Sequence, residues 1–211
     1  MAIKGIIGVD EVNFSPSIAG DCIVCALFPF EKVPGVKDSK ALSKKKRLEL
    51  FRAIQETSLY VVIPATVNQI IHLNITRPRN QAIIWSVKML LELIKEMGVN
   101  PGKIVKKTII DGPFTEEFII RMRREVMIDV VPVVKADEKH YAVSAASIVA
   151  KVYVDALFEG FGRFYPGYNI EKNHGSPDRV MYRKLKECGP SPWHRTGVYG
   201  RQWWAKINGV R

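Results

Sequence analysis

Cysteine is scarce: the chain has three in 211 residues, Cys22, Cys25 and Cys188. So small and odd a number excludes a disulfide framework. Cys22 and Cys25 form a CxxC, but the run DCIVCALF at 21–28 reads as a buried strand. Positions three apart in a strand point to opposite faces, and no glycine or proline lies between them to bring two sulfurs together. Both read as structural thiols. Long hydrophobic runs are also missing, since charge interrupts each of them, and the opening MAIKGIIGVD is neither a signal peptide nor an anchor. A soluble cytoplasmic protein without membrane contact is expected, and a monomer. There is no P-loop, GxGxxG or GxSxG, no metal spacing among the four histidines, and no internal repeat. The common nucleotide-binding classes fall away.

Acidic residues are the minority. Lys and Arg total 32 against 21 for Asp and Glu, a net charge of +11 and a pI near 9.6. Such a surplus favours a polyanionic partner, above all nucleic acid; the alternative is a basic enzyme whose charge only aids solubility. The apolar and charged fractions, 47% and 25%, are globular averages and exclude disorder.

Five short runs rich in Val and Ile, at 3–9, 21–28, 59–65, 104–110 and 128–134, predict strands. Helical patterns separate them. Ser43 is a predicted N-cap for 44–57, where Leu48, Phe51 and Ile54 form a stripe, and the KKKR at its start reads as a solvated first turn. Residues 80–97 repeat the pattern until Gly98 stops it; 115–125, 143–161 and 177–188 follow. The small residues of SAASIVAKV suit a helix packed closely on a sheet. From 171 onward nine Lys or Arg stand against three acids, a net of +6. The expected architecture is α/β: a five-stranded domain over 1–164 with a basic helical appendage over 165–211.

Against this basic background a few carboxylates stand where apolar strands end. Asp10 and Glu11 follow GIIGV, Asp111 follows TII and precedes Gly-Pro, and Asp137 follows the fifth run by three residues. Strand ends along one sheet edge are where α/β proteins place their sites. Neighbours in a strand point opposite ways, so Asp10 and Glu11 share a site only if the strand has ended or bent there. Clustered carboxylates repel unless a cation joins them, and oxygen-only ligands favour Mg²⁺ or Mn²⁺ over zinc. Two such ions stabilise the attacking and leaving oxygens of a phosphoryl displacement. A basic surface with an acidic pocket is the pattern of a nuclease; the alternative is ordinary solvated acids.

Taken in order, GVDEV at 8–12, Ala19-Gly20, DSKALS at 38–43, Ile110-Asp111-Gly112, KADEKHYAVSAASIVAKVYVD at 135–155, YPGY at 165–168 and GPSPWHR at 189–195 resemble the ribonuclease HII family. The resemblance covers nearly the whole chain. It implies a ribonuclease H-like five-stranded mixed sheet flanked by helices, with a small C-terminal helical part. It also implies Mg²⁺- or Mn²⁺-dependent cleavage of the RNA strand of an RNA–DNA hybrid, leaving 5′-phosphate and 3′-hydroxyl ends. The family's catalytic acids fall on Asp10, Glu11, Asp111 and Asp137. Asp155 matches a further acid with a supporting role or a helix salt bridge, and Lys40 matches a lysine near the substrate backbone. Where the family has Gly-Arg-Gly to read a ribonucleotide, this chain has Asn13, Phe14 and Ser15; where a tyrosine stacks on the nucleotide, it has Ser176. Phe14 offers a flat face for stacking in place of the arginine. Type HIII enzymes lack the same arginine and tyrosine and are the nearest alternative. A hybrid-binding protein with altered nuclease activity and a DNA-directed nuclease are the others.

Overall fold

The computed structural model describes residues 5–14, 17–37, 42–197, 203 and 205. Ser15, Lys40 and, in the tail, Arg201, Trp204, Lys206 and Arg211 lie outside the described residues.

Among the described residues five strands form one mixed sheet: β1 (Gly5–Val12), β2 (Cys22–Pro29), β3 (Ser58–Ala65), β4 (Val105–Asp111) and β5 (Asp129–Val133). The order is β3-β2-β1-β4-β5. β1 pairs parallel with β4, Val9 opposite Ile110, so the next residues in that register are Asp10 and Asp111. β4 pairs parallel with β5, Asp111 opposite Val133. Parallel strands end at the same edge, so the carboxylates that close these runs share that edge.

The helices are α1 (Lys44–Thr57), α2 (Val67–Leu73), α3 (Thr76–Glu96), α4 (Pro101–Ile104), α5 (Glu116–Val126), α6 (Ala136–Lys139), α7 (Tyr141–Phe164), α8 (Ile170–Asn173) and α9 (Arg179–Cys188). Ser43 caps α1 as expected, its side chain accepting from the Lys46 N–H at 3.2 Å. The buried face of α1 differs from the predicted stripe. It is Arg47, Leu50 and Ile54, while Leu48 is 42% exposed. Arg47 is not part of a solvated turn: its guanidinium donates to the Leu42 carbonyl at 2.6 Å, and its long stem packs under the helix. Helix α2 was not expected; its start is a capping box between Thr66 and Gln69.

The chain groups into two compact units. The first takes residues 1–11, 24–63 and 80–152; the second takes 12–23, 64–79 and 153–211. The segment from 165 onward therefore shares its unit with two pieces from the first half of the chain.

In the first unit, one sheet face buries Ile7, Val9, Val24 and Phe28 against Ile83, Ile84, Val87, Leu90 and Ile94 of α3 and Met122 of α5. Each fully buried Ile or Leu there contributes about 1.5–3 kcal/mol. The other face holds Ile109, Ala136 and Val143, with Ile6 and Val133 beside them. Gly8 decides how close α7 comes, because a Cβ at that position would lie 2.2 Å from the Ala142 carbonyl carbon. Helix α7 is long and apolar enough, by length and composition, to cross a membrane, but 67% of its most apolar stretch is buried inside the protein. That burial accounts for its apolarity as a core helix, in the place where close packing on the sheet was expected.

Candidate functional site

Strand β1 runs on to Val12, just past Asp10 and Glu11, and the chain bends at once at Asn13, φ 66°, so the pair sits where the strand gives out. Asp10 is 6% exposed, and its Oδ1 accepts the Glu11 N–H at 2.9 Å. Asp111 closes β4 and its carboxylate accepts the Ala136 N–H, which ties the end of β4 to the start of α6. Asp137 sits on α6 and is 2% exposed. The structure thus brings the four predicted acids of the first unit into one electrostatic field.

That field is visible at Asp10. Burial pushes its carboxyl well above the ordinary carboxylate range, Glu11 adds to the rise, and Asp111 and Asp137 add further. A hydrogen bond from Ser147 opposes them. Each neighbour acts in the direction expected of like charges sharing a poorly solvated space. Among the described residues no three His, Cys, Asp or Glu side chains are already gathered as ligands around one point. The acids share a field and are not a closed cage.

The donor set nevertheless suits a hard divalent cation. It consists of carboxylate oxygens, without a thiol, and the repulsion among them is what a cation would relieve. Ser147 was missed by the sequence reading, which assigned the small residues of SAAS to packing alone. Ser144 and Ser147 are three apart on α7, and that spacing was the available signal for one polar face. Ser144 Oγ donates to the Asp137 carbonyl and so anchors α6 to α7.

The second unit holds the remaining predicted positions. Asn13 adopts φ 66°, the left-handed region that a glycine would otherwise fill. Its Nδ2 donates to the Ala19 carbonyl at 3.0 Å and the Asp21 carbonyl at 2.8 Å. The Phe14 ring is partly buried. Its ring packs on the buried cluster of Cys22, Ala65, Ile70 and Ile75, and the Arg79 guanidinium lies 4.3 Å from its centroid. An aromatic ring beside buried apolar side chains gains more from desolvation than from standing in water.

Asp155 is 3% exposed and pairs with His174, Nδ1 to Oδ1, at 3.1 Å, while Phe158 meets the same imidazole edge-on. That partner lies across the unit, on the turn after α8. Ser176 closes that turn, donating its N–H to the Asn173 carbonyl. Cys22 and Cys25 are buried and form no disulfide, as expected of structural thiols.

Sequence reasoning also missed Arg195. It is fully buried and its guanidinium donates to carbonyls of the 13–20 loop. Trp203 is 6% exposed, and its indole N–H donates to the Arg195 carbonyl at 3.2 Å, so its ring packs inside this unit.

The model of the ribonuclease HII family matches residues 7–206. A ribonuclease HII of Lachnoclostridium phytofermentans is 34% identical over 193 residues, covering 90% of this chain and 68% of its own. Among solved structures, the ribonuclease H2 of Pyrococcus horikoshii OT3 superposes with a TM-score of 0.74 at 23% identity, over 96% of this chain and 98% of that one. Bst-RNase HIII in complex with Mn²⁺ superposes with a TM-score of 0.73 at 20% identity, over 99% of this chain and 71% of that one. The two solved structures share the fold.

Proposed function

This chain belongs to the ribonuclease HII family, and we propose that it is an endonuclease that hydrolyses the RNA strand of RNA–DNA hybrids with two divalent ions, leaving 5′-phosphate and 3′-hydroxyl ends. The observation that carries this reading is the parallel register that sets Asp10 beside Asp111 at the strand ends, with Glu11 and Asp137 near enough to raise the buried Asp10 carboxyl. Asp10, Glu11, Asp111 and Asp137 would hold Mg²⁺ or Mn²⁺; the relative solved with Mn²⁺ supports that choice. When bound, the ions neutralise the carboxylates and supply Lewis-acid stabilisation of charge developing at the phosphodiester.

The chain's own residues do the positioning. The Ala136 N–H holds Asp111 at the end of β4, and Ser144 holds the peptide that carries Asp137. Ser147 hydrogen-bonds Asp10 and steadies its charged form. Preorganised groups of this kind cost little reorganisation during the reaction. The net charge of +11 supports a polyanionic substrate.

The type HIII-like reading is favoured on one point. Phe14 is engaged by its own unit and Ser176 replaces a ring, so neither side chain is placed to read a lone ribonucleotide as the family's arginine and tyrosine do. A continuous hybrid should therefore be the better substrate. The test is cleavage of a labelled set with Mg²⁺ or Mn²⁺: continuous hybrid, single-ribonucleotide duplex, all-DNA duplex and double-stranded RNA. The hybrid should be cut fastest and the last two left intact. An intact hybrid, or DNA cut as fast, overturns the assignment.

A further inference from the structure

Single exposed apolar side chains are ordinary on a protein surface, but a contiguous row of them is not. Helix α3 carries such a row. Trp85, Met89, Leu93 and Met97 follow at four-residue steps, the spacing of one ridge on a helix surface, and stand 37–55% exposed. The helical geometry reaches Met97, whose N–H donates to the Leu93 carbonyl at 3.2 Å. At about 200 Å² for each large side chain, the half-exposed row presents roughly 400 Å² of apolar surface, the size of patches that mark interaction sites.

The ridge faces a definite side. Helix α5 packs on β5, and it is tied to α3 by the Arg121–Gln81 hydrogen bond at 2.8 Å and the Lys88–Glu125 ion pair at 3.7 Å. At about 100° per residue, Leu93 lies about 140° around the helix from Lys88, and Met97 about 180°. Both are therefore turned away from α5 and the β4–β5 half of the sheet, towards the half that holds β2 and β3. Among the described residues β3 ends the strand order there, with β2 as its strand neighbour. Its residues, SLYVVIPA, include no charged side chain, and Leu59 and Ile63 are partly buried against the same cluster as α3. Outer strands are ordinarily guarded by charge, by bulges or by covering segments, because their outward backbone groups are a template for another strand. Pro64 removes a donor only near the end of β3 and leaves 58–63 able to pair.

Charge and area select the occupant. The chain carries +11, yet residues 85–97 hold two Lys and two Glu, and β3 holds neither sign. Lys88 is paired with Glu125 and Lys95 with Glu92. On so basic a protein, a neutral apolar surface is where a second copy is repelled least and nucleic acid attracted least. A strand is also its own complement, since antiparallel pairing lets β3 of one copy take β3 of another about a two-fold axis. An axis perpendicular to the sheet keeps both α3 helices on one face, with their ridges turned towards each other. A stable interface takes about 800 Å² from each partner. The ridge alone is about half of that, so the strand must join it.

We propose that this chain forms a two-fold dimer, in place of the expected monomer, in which β3 pairs antiparallel with β3 of a second copy and the Trp85–Met97 ridges pack together. Such an axis turns the second sheet end for end, so the carboxylates of the two copies stand at opposite ends of the joined sheet. The residues 58–63 and 85–97 belong to the first unit, and the proposal is independent of the nuclease reading.

The test is sedimentation of the full chain, freed of nucleic acid, from about 1 to about 200 µM. The mass should rise from 23.9 kDa towards twice that value. Raised salt should favour the dimer by screening the repulsion between two +11 copies, whereas a pair bridged by nucleic acid would fall apart. Amide hydrogen exchange over 58–63 should slow as concentration rises. Met89→Glu places a charge on the ridge at a half-exposed position, and Val62→Lys guards the strand; each should weaken association on the order of tenfold or more. Ile120→Glu, exposed on α5 away from the ridge, should leave association unchanged. Thermal melts at the dilute end show whether each variant is folded, and if Val62→Lys is not, Met89→Glu and the exchange of the parent decide. A chain at 23.9 kDa throughout leaves the ridge to a different partner and overturns the proposal. So does a dimer that Met89→Glu leaves intact, that Ile120→Glu breaks, or whose β3 amides exchange at one rate at every concentration.

Discussion

Replacing Asp10 with asparagine should stop cleavage and at the same time stabilise the metal-free protein at neutral pH. Asp10 is 6% exposed, and burial followed by Glu11 raises its carboxyl well above 3.8, with smaller contributions from Asp111 and Asp137. A carboxyl raised in this way holds its proton more tightly folded than unfolded. As pH climbs from about 3.8 through the folded value, ionisation favours the unfolded chain, so stability is lost across that window and stays lost above it. Each unit of elevation corresponds to about 1.4 kcal/mol. For a chain of this length each kcal/mol moves Tm by about 2–4 °C. Asparagine keeps the size of the side chain and an oxygen for the Glu11 N–H, but it carries no charge. Thermal melts with a chelator should therefore show Asp10→Asn above the parent at neutral pH. The gain should shrink towards pH 4, where both side chains are uncharged. Mg²⁺ or Mn²⁺ should then stabilise the parent more than the variant. Cleavage should fall at least on the order of a hundredfold, the loss seen when one key transition-state contact is removed. Retention of more than about a tenth of parental activity at saturating Mg²⁺ refutes the ligand role on that scale. A metal-free Tm below the parent's at neutral pH refutes the argument from repulsion.

Gly8→Ala should cost about 1–3 kcal/mol or more, because its Cβ would lie 2.2 Å from backbone of α7 that has no side-chain freedom to yield. An unchanged denaturant midpoint would show that β1 and α7 are not in backbone contact. Burial holds His194 at about 4, so the folded chain resists a proton that the unfolded chain takes up near 6.5. Stability present above 6.5 is lost as pH falls towards 4, by up to about 3 kcal/mol, and His194→Gln should flatten that part of a Tm-against-pH curve. Trp203→Ala should destabilise by about 3–5 kcal/mol, since the ring is 6% exposed and hydrogen-bonded inside its unit. Urea unfolding measures it, and a loss below about 1 kcal/mol would refute the packing of Trp203 inside its unit.

The strands were legible because each is short, β-branched and closed by turn residues; all five stand within a few residues of the predicted runs. The long helices were legible from period and caps. What failed was finer. In α1 the apolar spacing of Leu48 and Phe51 competed with a second face, and Arg47 could join that face because its stem is apolar and its head reaches the Leu42 carbonyl. Charge alone marked it as solvated. Helix α2 is seven residues long, too short for a periodic signal, and only the Thr66–Gln69 box announces it. The grouping of 12–23 and 64–79 with the C-terminal part was invisible for another reason. Its bonds join residues some 160–180 positions apart, such as Arg195 to Gly20, and no local pattern encodes them.

The acids of the candidate site were legible because a carboxylate after an apolar strand is conspicuous in a basic chain. Parallel pairing then aligns Asp10 with Asp111 without further instruction. The substrate positions were less so, since their meaning depends on packing. Asn13 and Phe14 depart from Gly-Arg-Gly in side chain, yet Asn13 at φ 66° retains the backbone bend for which glycine is the default. Phe14 spends its ring on Cys22, Ala65, Ile70 and Ile75 beneath Arg79, and its carbonyl on Arg195. The triplet has thus exchanged a projecting cation for an anchored ring while the loop keeps its bend. Recognition that depends on a projecting cation at 14 does not survive that exchange. Preference for a continuous hybrid over a single-ribonucleotide duplex should therefore stand until an arginine is restored at 14, and a parent chain that already prefers the single ribonucleotide in the labelled set would refute that reasoning.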